Sequence, residues 1–159
     1  MQVIKDRKIV EDNWQQIVGD EDLPAGDVIV SLGRWQAERE QLLKRTGKLG
    51  VCINGDHKLR DIADDLKHFD LIALDFPKLG DGRCFSHARL LRERYGYKGQ
   101  LRAVGYVLRD LLFFMHRCGI DSFQIRDGKD IEDALKAFSE FSVKYQPAAD
   151  GAPPIYRLR

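Results

Sequence analysis

The residues of this chain best suited to chemistry gather in one stretch. Seven arginines lie between Arg83 and Arg117, and the first of them closes a loop, Lys78-Leu79-Gly80-Asp81-Gly82-Arg83, that mixes both charge signs with two glycines. Such a loop before a helix suits an anion. Glycine lets the backbone come close, the first N–H groups of the helix lack internal partners, and Lys78 and Arg83 add positive charge. A plainer use competes: Asp81 and Ser86 end the loop and cap the helix, with Arg83 paired to Asp81 or Asp75. The loop is not of the GxxxxGK[ST] type, and no GxGxxG occurs in the chain.

On the helix that follows, Arg89 and Arg92 are three apart and share a face, while Arg94 points elsewhere. Arg89 is the better candidate for a site; Arg92 and Arg94 read as a solvated face beside Glu93. Arg109 and Asp110 interrupt a later apolar helix, and a buried Arg109 would need a partner, for which Asp75 or Asp81 is expected. The candidate anion-binding set is therefore Lys78, Asp81, Gly82, Arg83, Ser86, Arg89, Arg109 and Asp110. His57, His68, His87 and His116 show neither HxH nor HExxH spacing, so no metal site is expected. Cys52, Cys84 and Cys118 form no CxxC pair; Cys84, beside Arg83, is read as a small residue in a tight turn rather than a nucleophile, and the other two as core. No catalytic residue is identifiable, and the cofactor is left unknown.

The elements that must position these residues follow from periodicity. Strands are expected at Asp27–Leu32, Leu49–Ile53, Leu71–Phe76, Leu101–Val104 and Asp121–Ile125. Helices are expected at Arg34–Arg45, His57–Lys67, Phe85–Tyr95, Tyr106–Arg117 and Asp130–Tyr145, with Asp56 capping the second. Residues 1–26 form an irregular or hairpin lead-in, and residues 146–159 a tail. Five strand–helix units with near-continuous apolar strands predict a single α/β domain. Its core would be a mainly parallel, five-stranded sheet with helices on both faces, a three-layer sandwich. The alternative is a partial (β/α) barrel, completed by a second subunit. In either fold the loop after Phe76 lies at the C-terminal end of its strand, where ligands bind, together with Gly33-Arg34, Asn54-Gly55-Asp56 and Gly105-Tyr106. Leu111–Met115 is apolar at five successive positions, so that helix is expected to be buried on more than one side or to join an oligomer contact.

With 159 residues, 43% hydrophobic and 32% charged, the chain has the size and balance of one soluble domain. No apolar run reaches the roughly 20 residues of a membrane helix, and no signal-peptide pattern opens it, so a cytoplasmic protein without a membrane partner is expected. A net charge of +1 disfavours nucleic acid as a partner.

The segment from Leu74 to Asp121 resembles a bacterial domain-of-unknown-function family (number 934). The resemblance rests on Phe76-Pro77-Lys78, Asp81-Gly82-Arg83, Ser86, Ala88-Arg89, Leu91-Arg92, Leu101 to Gly105, Val107, Arg109-Asp110 and Arg117-Cys118-Gly119, and extends weakly from about residue 27 to residue 127. Members are commonly labelled probable oxidoreductases of sulfite reduction and tend to be encoded beside sulfite reductase. Two positions depart from the family pattern: Cys84 replaces a small residue, and Tyr106 an Asp or Asn. The pathway context that the resemblance implies, taken with the Arg-rich strand end, leads to the expectation of an accessory protein of assimilatory sulfite or sulfate reduction, an oxidoreductase or not, binding a small anion at the strand-three loop. The alternative, which rests on the missing cofactor motif and the apolar Leu111–Met115 run, is a non-catalytic module docked on sulfite reductase or its electron donor, and a homo-oligomer stays open.

Overall fold

The computed structural model describes residues 1–77, 82–126 and 129–140. Its strands are β1 (Gln2–Lys5), β2 (Lys8–Glu11), β3 (Gln15–Gln16), β4 (Val28–Ser31), β5 (Leu49–Ile53), β6 (Leu71–Phe76), β7 (Gln100–Gly105) and β8 (Ser122–Phe123). Its helices are α1 (Leu32–Leu43), α2 (Arg83–Glu93), α3 (Leu112–Arg117) and α4 (Ile131–Glu140). All five expected strands are present. All eight strands form one sheet in the order β2-β1-β8-β7-β6-β5-β4-β3. From β3 to β8 each strand lies parallel beside its predecessor, and the β1–β2 hairpin adds antiparallel to β8.

This order replaces the five-stranded, two-sided sandwich with a curled half-barrel. Parallel strands laid down in sequence by right-handed crossovers put every helix on the same face. Trp35 and Leu42 of α1, Ala88 and Leu91 of α2, Leu112 and Met115 of α3 and Ala134 and Phe138 of α4 accordingly share one core, with Val28, Val51, Leu74 and Ala103 of the sheet. The opposite face holds a separate cluster of Ile29, Leu71, Ala73 and Val104 without any helix residue. The continuous apolar strands were a sound sign of two buried faces; curling, not a second helical layer, buries the inner one.

The curl is fixed by a short connection. Glu11 ends one edge strand and Gln15 begins the strand at the other edge, leaving three residues between them. Eight flat strands would span about 34 Å at about 4.8 Å per step, whereas four residue steps reach at most about 14 Å. The edges must therefore come round towards each other. Two side chains of the connection fill the inside. Trp14 packs on the inner cluster, and Asp12 takes a bidentate pair from the buried Arg102 guanidinium at 2.7 and 2.8 Å, while Arg102 Nε donates to Ser122 Oγ at 3.1 Å. The partial-barrel alternative thus describes the sheet, with the chain's own residues inside it.

Local chemistry sets the element ends. The lead-in is a hairpin whose turn residues, Asp6 and Arg7, both have positive φ (52° and 66°), the two-residue turn that matches strand twist. Ser31 caps α1 by accepting the Arg34 amide at 3.2 Å. The stretch expected as a helix at 57–67 forms two 3₁₀ turns, Leu59–Asp61 and Ala63–His68, and Asp56 does not cap them. The helix expected from Tyr106 begins later, as a 3₁₀ turn at Arg109–Leu111 running into α3. In it Leu112, Met115 and Arg117 are enclosed, while Phe114 is 51% exposed. Arg92, expected on a solvated face, is instead a half-buried clasp donating to the carbonyls of Tyr97, Gly99 and Gly119 near the N-terminal ends of β7 and β8. Among the described residues no helix is long and apolar enough to cross a membrane.

Candidate functional site at the mouth of the curled sheet

The C-terminal ends of the parallel strands open as a mouth ringed by the loops after β4, β5, β6, β7 and β8. At its centre is the start of α2. Gly82 occupies the N-cap position with no side-chain cap, and the first turn carries no acidic residue. Among the described residues, no acidic side chain in this first turn opposes a negative charge at the helix start.

Arg83, the first residue of α2, leans over the loop that follows β5. A Cβ on Gly55 would lie 2.5 Å from Arg83 Nε and 2.6 Å from Arg83 Cβ, so the glycine is the seat on which this side chain rests. Beyond it Arg83 Nη1 meets Asp56 Oδ1 at 2.5 Å. With side-chain exposures of 52% and 76%, that pair is worth about 1 kcal/mol or less, and an entering anion can displace it.

Two histidines complete this side. His57 Nδ1 accepts the Asn54 amide at 3.0 Å, which places the proton of the neutral ring on Nε2. His87, one turn along α2 from Arg83, lies by the same loop. Burial pushes its pKa below the ordinary 6.5, against the opposing pull of the Asn54 and His57 carbonyls. Its Nε2 is enclosed without a hydrogen-bond partner among the described residues. A cavity of about 300 Å³, lined by Ser31, Gly33, Cys52, Asn54, His57 and Asp75 among others, lies next to this loop. Burial, aided by the negative charge of Asp75, holds the Cys52 thiol up at about 12, so it is protonated and no nucleophile.

The expected site residues divide. Lys78 and Asp81 lie outside the described residues. Gly82 and Arg83 stand together at the mouth. Ser86 is exposed on α2, and Arg89, also exposed, faces Glu93 at 3.6 Å. Arg109 pairs with Asp133 of α4 at 3.1 Å, and the Asp81 expected beside it lies outside the described residues. Asp110 is exposed in the same 3₁₀ turn, and both line a cavity of about 310 Å³ with Lys129 and Asp130. Cys84 is buried and donates to the Asp75 carbonyl at 3.3 Å, as a core contact. The loops after β4, β5 and β7 do emerge on the same edge as the loop after β6, as their strand positions required. His57, His87 and Arg126 were not singled out from sequence. His87 follows Arg83 by four residues on one helix, and that spacing was the available signal.

Residues 50–156 match the model of a family described as "Bacterial protein of unknown function (DUF934)". The chain belongs to this family. The DUF934 match begins at Gly50 in β5, not near residue 27, and so takes in every mouth residue from Cys52 to Arg126 while leaving out the hairpin, β3, β4 and α1. No curated protein matches the DUF934 chain.

Proposed function

We propose that this chain binds a small oxyanion where the uncapped start of α2 meets Arg83, and that it serves assimilatory sulfite or sulfate reduction as an accessory protein. The seat of Arg83 carries the anion reading: a bare Gly55 supports this side chain at the start of α2, and its contact with Asp56 is solvated and exchangeable. Arginine offers paired donors that fit the oxygens of sulfite or sulfate, and the helix start adds a directed partial charge. The pathway rests on the sequence resemblance; the geometry supports anion capture. Calorimetric titration with sulfite, sulfate, adenylyl sulfates and NADPH, on the native protein and Arg83→Ala, tests the proposal. A saturable heat with a sulfur oxyanion is expected, weakened about tenfold or more in the variant. Equal affinities in the two proteins, or no heat with any compound, would refute it. A second reading, docking on sulfite reductase, is favoured by Phe114, half exposed beside Phe85 at 4.8 Å between ring centroids. Titrating purified sulfite reductase into native and Phe114→Ser protein separates the two readings.

A further inference from the structure

On the other side of β6 the mouth holds a second cation with different surroundings. Arg126 follows β8 by three residues, and its guanidinium carbon stands 4.1 Å from the centroid of the Tyr106 ring. Both residues are half-buried. Every other arginine singled out in the mouth has an acidic partner: Arg83 has Asp56 and Arg109 has Asp133. Among the described residues Arg126 makes no side-chain hydrogen bond or ion pair, and its contact there is the aromatic face of Tyr106.

The guanidinium borders a cavity of about 280 Å³ lined by Gly105, Gln124, Ile125 and Arg126. That volume suits a small polar group rather than a drug-sized molecule. Its floor is bare backbone for a steric reason. Gly105 has φ +87°, and a Cβ there would lie 2.5 Å from the Phe76 carbonyl oxygen and 2.7 Å from an Asp75 carboxylate oxygen. No side chain is tolerated at this turn, whose backbone lies against the end of β6. The Tyr106 amide is engaged with the Phe76 carbonyl at 2.8 Å, which fixes the ring's backbone against β6.

We infer that Arg126, stacked on Tyr106 over the bare Gly105 turn, is the anchor of an anion subsite that takes a carboxylate or a tetrahedral oxyanion through paired N–H donors. A half-buried guanidinium without an anion keeps its charge at a desolvation cost, and an anion that enters recovers that cost through two charge-assisted bonds. Stacking leaves the in-plane N–H groups of the guanidinium free and fixes their plane, so little rotamer freedom is lost on binding. Tyr106 is then the positioning residue. The subsite is independent of the Arg83 site, which lies on the β5 side of β6.

The test uses the whole chain, with acetate, sulfite, sulfate and phosphate as separate probes. Arginine Nε–Hε NMR signals report which guanidinium meets the anion, and calorimetry gives the affinity. For at least one probe the Arg126 signal should move saturably, and Arg126→Gln should weaken that probe about tenfold or more. Tyr106→Leu should also weaken it, Tyr106→Phe should retain it, and Arg83→Ala should leave it unchanged. If Arg126→Gln fails to fold, the Nε–Hε shift and the Tyr106 pair decide. The subsite is overturned if the Arg126 signal stays still with all four probes. It is also overturned if binding is lost in Arg83→Ala yet kept in Arg126→Gln, a result that would leave the anion site at α2 standing.

Discussion

Removing the carboxylate of Asp12 should unfasten the curled sheet. Its side chain is 4% exposed and that of Arg102 is 2%, and the two meet through a bidentate contact at 2.7 and 2.8 Å. In Asp12→Ala the guanidinium keeps only Ser122 Oγ at 3.1 Å as a side-chain partner and stays buried between β7 and the 12–14 connection. Leaving one member of such a pair uncompensated costs about 3–5 kcal/mol. Against a total stability of about 5–15 kcal/mol that is a large share, equal to a fall of about 6–20 °C in melting midpoint for a chain of this size. Urea unfolding followed by tryptophan fluorescence measures it directly, because Trp14 rides on the same connection. The double variant Asp12→Leu/Arg102→Met should recover most of the loss, since an apolar replacement of both partners removes the stranded charge. A cost within about 1 kcal/mol for Asp12→Ala would mean that water reaches the pair, and would refute the account of the interior.

Gly55→Ala forces the new methyl into Arg83, whose Cβ is anchored to α2 and cannot swing away. A loss of about 1–3 kcal/mol in unfolding free energy is expected, together with weaker binding of sulfite or sulfate; a variant unchanged in both would show that Arg83 does not rest on this glycine. His87 sets a pH dependence. Its native pKa is lowered, so the unfolded chain takes up the proton first as pH falls, and the stability contributed by the neutral ring is full above 6.5 and lost as pH falls through the lowered value. The denaturation midpoint should therefore decline below pH 6.5, and His87→Gln should flatten that decline; identical slopes in the two proteins would assign the effect to other groups.

Strand positions were legible because Asp27–Leu32 or Leu71–Phe76 leaves no other use for a short apolar run between turns. Which faces are covered was not. An inward residue such as Ala73 or Val104 looks the same whether a helix lies over it or the sheet folds round it, and what decides is Asp12, whose partner is 90 residues away. The same distance limit hid the loop pairs: nothing near Arg109 announces Asp133, and Arg83 finds Asp56 only once β5 and β6 lie side by side. The 3₁₀ turns at 59–68 were read as a helix because Leu59, Ile62 and Leu66 fall at α-helical spacing, which two short turns broken at Ile62 also bury. Glycines were the best local guide, since Gly82, Gly96 and Gly119 stand at helix ends.

The N-terminal hairpin has a consequence for the birth of the protein. Its neighbour in the sheet is β8, so Ile4 pairs with Phe123. During synthesis β1 and β2 are made well before the strand on which they dock. A two-stranded hairpin is marginal alone, so these residues wait unpaired while β4 to β7 assemble behind them. In a chain made vectorially, docking of the hairpin must wait for β8. A nascent chain stopped before Ser122 lacks the strand on which the hairpin docks.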